Sequence, residues 1–214
     1  MQPFTLIERG RQAIERKLKR GQVRISFDID DTLACQPEHA AAEHSRLPGF
    51  VHRWLGEPLR SGTRELIRDL RRQGCSIWIY TSSGRTPAYI RRWLLLYGIH
   101  VDGVVNSDRH QHILARNGLA HSPSKLPSAF DIDLHVDDSE GVRLEGVDHG
   151  FRVVVVCPQD QHWAQKVKAA AVDVQARLAR QQPHRYEAPV RSSAARAAQS
   201  RAALAPTFVS GQLF

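Results

Sequence analysis

The stretch that decides the fold is Val23-Arg-Ile-Ser-Phe-Asp-Ile-Asp-Asp-Thr-Leu33. Residues 23–29 predict a buried β-strand, because they are rich in apolar, β-branched and aromatic side chains. Asp28, Asp30 and Asp31 stand where that strand ends. Asp28 and Asp30 are two residues apart in the chain, so they point to the same side of an extended strand and repel each other. The stretch therefore predicts a core strand that ends in an acidic turn with a chemical role.

Segments typical of strands and of helices alternate along the rest of the chain. Further strands are predicted over 76–81, 101–105, 133–137 and 151–156, and helices over 61–73, 87–95 and about 160–181. Such alternation favours a parallel sheet that is covered by helices on both faces. With the right-handed crossover rule, we expect an α/β fold: a doubly wound, Rossmann-like sheet of about five strands, with a small insert after the first strand.

Composition divides the chain into three predicted parts. Residues 1–22 contain a basic amphipathic helix over 3–20, residues 23–181 form the α/β domain with an insert at about 34–58, and residues 182–214 form a basic, disordered tail. The net charge is +8, of which residues 1–22 carry +4 and residues 175–214 carry +5. The two ends are candidates for contact with nucleic acid or an acidic partner, and solvated flanks without a partner are the alternative.

The sequence also limits the cellular setting. No apolar run approaches the ~20 residues of a bilayer span, and residues 1–20 lack the apolar region of a secretory signal. The sequence has an odd number of cysteines, Cys35, Cys75 and Cys157, and they lack the spacing of metal ligands. This pattern predicts a reducing, cytoplasmic location. Cys35 follows the acidic turn and is a candidate reactive thiol, with a small buried residue as the alternative.

Polar residues cluster at the predicted carboxyl ends of several strands, which is where open parallel sheets bind ligands. They are Asp28, Asp30, Asp31 and Thr32; Thr81, Ser82, Ser83, Gly84 and Arg85; and Asp137, Asp138 and Ser139, with Lys125 in the loop before them. Carboxylates at one edge suit a hard cation such as Mg²⁺, and hydroxyls with an ammonium group suit a phosphate. Taken singly, Asp138 and Ser139 could be a helix cap, Thr81 a strand-end hydroxyl and Lys125 a surface charge.

The order of these motifs carries a family resemblance. Asp28-Ile-Asp-Asp-Thr-Leu33 resembles the Asp-x-Asp-x-Thr signature of the haloacid dehalogenase-like (HAD) phosphatase superfamily. Thr81 resembles its second motif, Lys125 its third and Asp137-Asp138 its fourth, and residues 58–66 resemble the segment before the second motif. The resemblance spans about residues 23–157 and keeps the order, the spacing and the strand context of the motifs.

The resemblance implies a Mg²⁺-dependent phosphatase that acts on a phosphate monoester. Asp28 would attack phosphorus and form an aspartyl-phosphate, and Asp30 would act as general acid and then as general base. Mg²⁺ would be held by Asp28, by the backbone carbonyl of Asp30 and by Asp137 or Asp138, with Asp138 favoured as the direct ligand. Thr81 and Lys125 would bind and neutralise the phosphoryl group.

Substrate contacts and the nature of the substrate are less constrained by the motifs. Thr32, Ser82, Arg85 and the histidines between 109 and 121 are the candidate substrate-binding residues, and Thr32 is also expected to order the acidic turn. The short insert predicts an open site that accepts a small or a macromolecular phosphate. The alternative function is a catalytically weak binding protein that acts through its basic ends on nucleic acid or an acidic partner.

Overall fold

The computed structural model describes residues 22–36, 38–44, 48–51, 57–117 and 123–181. Their strands form one parallel sheet of five, in the order β3-β2-β1-β4-β5. The strands are β1 (Arg24–Phe27), β2 (Ser76–Tyr80), β3 (Gly103–Val105), β4 (Leu134–Asp137) and β5 (Val153–Val155). The predicted α/β class and the parallel sheet of about five strands are confirmed.

Besides the helical residues 49–51, five α-helices and one short 3₁₀ helix lie among the described residues. They are α1 (Thr63–Arg72), α2 (Pro87–Leu96), α3 (Ser107–Asn117), the 3₁₀ helix (Pro127–Phe130), α4 (Glu140–His149) and α5 (Trp163–Gln181). The three helices predicted from periodicity correspond to α1, α2 and α5. Helix α3 was not predicted, because its polar sequence contributes only partly buried Ile113 and Leu114 to the core.

The strands are shorter than the sequence predicts, and the first strand shows why. β1 ends at Phe27, because the backbone then turns and the carbonyl of Ile29 accepts hydrogen bonds from the N–H groups of Leu33 (2.9 Å) and Ala34 (2.7 Å). Apolar residues beyond a strand end, such as Ile29, are still fully buried, so hydrophobicity alone extends the prediction past the last ladder hydrogen bond.

Helices cover both faces of the sheet, as predicted. Ile77 and Ile79 of β2 belong to the main core, which also contains buried side chains of α1, α2 and α5. Trp78 and Tyr80 alternate with them and pack with Ile113 of α3 and with the 3₁₀ helix on the other face. This alternation follows from the two-residue period of a strand whose two faces are both buried.

The order of the strands determines where a ligand can bind. β1 lies in the middle, with Phe27 paired to Ile79 of β2 on one side and to Val136 of β4 on the other. The chain builds outward from β1 to β3 and then crosses back to β4, so its direction reverses between β1 and β4. Crevices at the carboxyl ends of strands beside such a reversal are the usual ligand sites of doubly wound sheets.

Several predictions concern residues that lie outside the described ranges. These include the helix over 3–20 and the tail at 182–214. The insert at 34–58 is described in part: Ala34 bridges to Leu59, Ala42 bridges to Arg60, and residues 49–51 are helical. No helix in the described ranges is long and apolar enough to cross a membrane.

Candidate active site

The acidic turn after β1 is attached directly to β4. The N–H of Asp28 donates to the carbonyl of Val136 (2.9 Å), and Asp31 adopts a left-handed conformation with φ of 53°. Aspartate tolerates this conformation better than most residues, so the turn can form without a glycine. Asp28 is thereby held at the gap between β1 and β4 where the winding of the sheet reverses.

Lys125 connects carboxylates from the two strands. Its Nζ lies 2.9 Å from Asp28 Oδ1 and 2.5 Å from Asp137 Oδ2, and its side chain is only 3% exposed. Burial lowers the pKa of this ammonium, but the charges of Asp28 and Asp137 outweigh that effect, so its pKa is raised and it is charged. The alternative of a surface charge is therefore wrong for Lys125.

The loop that carries Lys125 is held by a buried tyrosine and a buried histidine. Tyr80 accepts a hydrogen bond from the N–H of Leu126 (2.7 Å), and its hydroxyl lies 2.6 Å from His110 Nδ1. His110 Nε2 donates to the carbonyl of Pro123 (3.1 Å), which leaves Nδ1 to accept from the tyrosine hydroxyl. Burial lowers the pKa of His110, which favours this neutral form. The contacts of His110 are thus with the loop of Lys125, whereas His112 is exposed and His121 lies outside the described residues.

Asp137 accepts hydrogen bonds on both of its oxygens. Oδ2 accepts from His135 Nε2 (2.9 Å) as well as from Lys125, and Oδ1 accepts from the N–H of Ser139 (2.9 Å). His135 Nδ1 in turn accepts a hydrogen bond from Ser26 Oγ (2.8 Å), because Nε2 of the same ring donates to Asp137. Burial opposes ionisation of Asp137, but the hydrogen bond from His135 and the charge of Lys125 prevail and hold its pKa well below the usual range.

The negative charges of Asp28 and Asp138 are stabilised less completely by their neighbours than the charge of Asp137 is. Burial raises the pKa of Asp28 to about 6; Lys125 works against the rise and the charge of Asp137 adds to it. Burial, followed by the charge of Asp137, also raises the pKa of Asp138. Three carboxylates therefore meet one ammonium, and the cluster carries an excess of negative charge.

This excess of negative charge fits a divalent cation. Asp28, Asp137 and Asp138 each offer one carboxylate oxygen, and these oxygens lie within 4.8 Å of one another. Oxygen donors of this kind are the ligands that Mg²⁺ prefers. Asp138 precedes Ser139, whose Oγ accepts from the N–H of Val142 (3.4 Å) and caps α4, so the helix cap and the candidate metal ligand are different residues of this segment.

Asp30 belongs to a second, more exposed group of charges. Its two carboxylate oxygens accept from Arg85 Nη1 (2.9 Å) and Nη2 (2.8 Å), and its side chain is 55% exposed. Arg85 also donates from Nε and Nη2 to the two oxygens of Glu57, both at 2.8 Å. Arg85, predicted as a substrate-binding residue, thus bridges two carboxylates, and Glu57 was not predicted at all.

The remaining predicted residues lie at different depths. Thr81 is buried, and its Oγ1 accepts from the N–H of Ser83 (3.1 Å), whereas Ser82 is exposed. Thr32 is buried inside the acidic turn, and its hydroxyl has no hydrogen-bond partner among the described residues. Its carbonyl accepts from Arg60 Nη1 (3.4 Å). The roles assigned to these residues stay predictions.

Arg60 was also missed by the sequence analysis. It is 2% exposed, donates to the carbonyls of Cys157, Pro158 and Asp160 at 2.7–2.9 Å, and lies over the ring of Trp163. Together with its contact to Thr32, this ties the acidic turn to the loop after β5. Cys35 is buried and burial raises the pKa of its thiol, which favours the structural interpretation of this residue.

Two cavities lie away from this cluster. One, of about 410 Å³, lies beside the insert and is lined by residues that include Arg60, Gly62 and Trp163. The other, of about 750 Å³, lies along α1 and the residues that follow α2, and its lining includes Arg68, Arg72 and other arginines. Neither is lined by Asp28, Lys125 or Asp137, so the site is assigned from its charges and hydrogen bonds rather than from a cavity.

His135 was not predicted as a site residue, although the sequence contains a pattern that indicates its position. It precedes Asp137 by two positions in an otherwise apolar strand, so both side chains lie on the same face of β4. Ser26 is its register partner in β1. Glu57, in contrast, reaches Arg85 only through the tertiary fold.

Comparison with known proteins gives two kinds of result. No family model and no curated protein matches the sequence. A predicted HAD-like family hydrolase from Porphyromonas gingivalis has 13% identity and a TM-score of 0.37, with 75% of this chain and 99% of that chain covered. The cobalt-bound deoxy-D-mannose-octulosonate 8-phosphate phosphatase from Haemophilus influenzae has 11% identity and a TM-score of 0.37, with 78% and 96% covered. Both similarities are low.

Proposed function

We propose that this chain is a HAD-like, Mg²⁺-dependent phosphatase that hydrolyses a phosphate monoester through an aspartyl-phosphate on Asp28. The observation that carries the proposal is the position of Lys125 Nζ, in contact with Asp28 at the end of β1 and with Asp137 at the end of β4. A buried nucleophile, a fixed ammonium and further carboxylates at the reversal point of a doubly wound sheet form a site for phosphoryl transfer.

Asp28, Asp137 and Asp138 would hold the cation, together with the backbone carbonyl of Asp30. Asp137 already accepts hydrogen bonds from Lys125, His135 and Ser139, which supports Asp138 as the direct ligand. The bound cation would supply positive charge opposite the phosphoryl oxygens.

In the first half of the reaction, a carboxylate oxygen of Asp28 attacks phosphorus while the bond from phosphorus to the leaving oxygen breaks. Asp30 gives its proton to that oxygen, and an alcohol departs. In the second half, water attacks the phosphorus of the aspartyl-phosphate, Asp30 takes up a proton from the water, and inorganic phosphate leaves with Asp28 restored. Lys125 stabilises the negative charge on Asp28 and on the intermediate, and Thr81 and Ser82 donate hydrogen bonds to the phosphoryl oxygens.

The direct test is hydrolysis of an aryl phosphate by wild-type protein and by Asp28→Asn, with and without Mg²⁺. We expect turnover that requires Mg²⁺ and falls by a factor on the order of 10⁴ or more in the variant, because the nucleophile is lost. Borohydride reduction of the acyl phosphate during turnover should convert residue 28 to homoserine, detected by mass spectrometry.

Asp102→Asn is the matched control for this test. Asp102 is an aspartate with a side-chain exposure of 33%, and it accepts from the N–H of Ile77 at the opposite end of the strands. It should retain turnover within about twofold, since it touches none of the reacting groups. Equal activity of Asp28→Asn and wild type would refute the proposal.

A further inference from the structure

Glu57 is fixed by three aromatic side chains, two of them in α2 and the third, Tyr97, at its C-terminal cap. Its Oε1 accepts from the hydroxyl of Tyr89 (3.1 Å), and its backbone carbonyl accepts from Trp93 Nε1 (2.7 Å) and from the hydroxyl of Tyr97 (3.3 Å). Trp93 and Tyr97 are buried. Glu57 is therefore a fixed acceptor at the end of the insert, with both its backbone and its side chain anchored.

Arg85 is fixed in turn by Glu57. Nε and Nη2 donate to the two carboxylate oxygens of Glu57, and the backbone carbonyl of Arg85 accepts from Asn106 Nδ2 (3.3 Å). A guanidinium is planar, so two bonds to one carboxylate also set the plane in which its other N–H groups lie. Those groups, on Nη1 and Nη2, are directed at Asp30.

Asp30 receives its orientation from this arrangement. Its side chain is 55% exposed and would otherwise rotate freely, yet both oxygens accept from Arg85 at 2.8–2.9 Å. A carboxylate has about four lone-pair positions, of which the two bonds from Arg85 use two. The others remain for a proton or for a water molecule.

We propose that Arg85, held by Glu57, is a positioning residue that directs the Asp30 carboxylate toward the leaving oxygen and the hydrolytic water. This inference rests on the proposed phosphatase function. It differs from a role for Arg85 in substrate binding, because Arg85 is shared between two carboxylates and the three groups together carry a formal charge of −1. Such a group does not offer a site for a second anion of the substrate.

The test is a double-mutant cycle with Asp30→Asn and Arg85→Ala, measured on phenyl phosphates whose leaving groups run from nitrophenol to unsubstituted phenol. A residue that acts only through Asp30 has no effect once Asp30 is neutralised. We expect Arg85→Ala to lower kcat/KM, which reports only the steps up to departure of the leaving group, by about tenfold on phenyl phosphate, and by less than about twofold in the Asp30→Asn background. The loss should shrink toward nitrophenyl phosphate, whose leaving group needs little protonation.

Two further variants complete the design. Arg85→Lys keeps the charge but cannot form both pairs of hydrogen bonds, so it should recover only part of the loss. Arg91→Ala removes an arginine of α2 that donates to the carbonyl of Val101 and should leave kcat/KM unchanged.

The outcomes separate this inference from the proposed function. An equal loss of kcat/KM from Arg85→Ala on all leaving groups, or the same loss in both backgrounds, would overturn the positioning role while Asp28-dependent turnover stands. A wild type that hydrolyses none of these esters would overturn both. A loss confined to poor leaving groups and absent in the Asp30→Asn background would establish the role.

Discussion

Two groups of charged side chains, one containing Asp28 and the other Asp30, differ in how far they are exposed to solvent. The buried cluster consists of Asp28, Lys125, Asp137 and His135, with side-chain exposures of 10% or less. The surface cluster consists of Asp30, Arg85 and Glu57, with side-chain exposures of 24–55%. Similar hydrogen-bond distances therefore join groups whose contributions to stability should differ greatly.

The difference comes from solvation. A charge in the buried cluster has lost its water, so each partner that disappears leaves an uncompensated charge in a medium of low polarity. A charge in the surface cluster returns to water when its partner is removed, and salt screens what attraction remains. The buried cluster therefore shifts the pKa values of its own members. The surface cluster orients a side chain with little effect on the free energy of unfolding.

The largest expected effect is that of Lys125→Met in metal-free buffer. This change leaves the carboxylates of Asp28 and Asp137 facing each other without a cation and should lower the free energy of unfolding by about 3–5 kcal/mol. Urea denaturation at pH 7 measures it. Lys168→Met is the control, since Lys168 pairs with Asp69 at the surface of the molecule (2.6 Å). If both variants lose equally little, the buried cluster is not electrostatically distinct.

Asp28→Asn should change stability in the opposite direction. The pKa of Asp28 is about 6 in the folded protein against 3.8 for an unperturbed aspartate, so its ionisation weakens the fold as pH rises through this interval. At pH 7 without metal, the variant should be more stable than wild type by up to about 3 kcal/mol. The difference should shrink toward pH 4, where wild-type Asp28 is protonated in the folded state and close to half protonated in the unfolded state.

The measurement is chemical denaturation at pH 7 and pH 4 in the presence of a chelator. Added Mg²⁺ should then stabilise the wild type more than the variant, because Asp28 is one of the proposed ligands. A variant that is less stable than wild type at pH 7 would contradict the perturbed ionisation.

Ser26→Ala tests the far end of the buried cluster. It removes the donor to His135 Nδ1 and leaves a buried acceptor unsatisfied, at an expected loss of about 1–2 kcal/mol in unfolding free energy. Ser76→Ala, which removes an exposed hydrogen bond to Asp102, is the control. Thermal denaturation of both variants should separate them, and equal midpoints would show that the Ser26 bond adds nothing.

The smallest effect is expected for the stability of Arg85→Ala. The surface cluster is partly solvated, so the variant should lose less than about 1 kcal/mol, and less still at high salt. Urea denaturation at low and high ionic strength measures both. A loss as large as that of Lys125→Met would remove the distinction between the two clusters.

Particular residues show which parts of the fold can be predicted from the sequence and which cannot. The apolar runs within 76–81 and before Asp28 predict the central strands, because strands buried on both faces of a parallel sheet carry nearly continuous apolar sequences. The polar helix α3 escapes prediction, since only Ile113 and Leu114 of its sequence pack against the two smaller core clusters. Strand ends were overextended for a related reason: residues such as Ile29 stay buried after the ladder has ended.

Some residues of the candidate site can likewise be predicted from the sequence, and others cannot. Asp28, Asp137 and Asp138 are predictable, because acids that follow apolar strands converge at one edge of a parallel sheet. Lys125 in isolation is typical of a surface charge, and only the loop packed against Tyr80 and His110 buries its ammonium. The role of Arg85 changes with its surroundings, since Glu57 reaches it through contacts with α2.

The amino-acid sequence by itself determined the fold class, the order of the central strands along the chain and the set of acids at their ends. These depend on local periodicity and on residue type, which any segment carries with it. Only the tertiary structure decided which charges are buried, which pair of carboxylates Lys125 contacts, which pair Arg85 contacts, and how the pKa of Asp28 is shifted. Those properties depend on desolvation and on distances between segments remote in sequence, and they exist only once the sheet and its helices have packed.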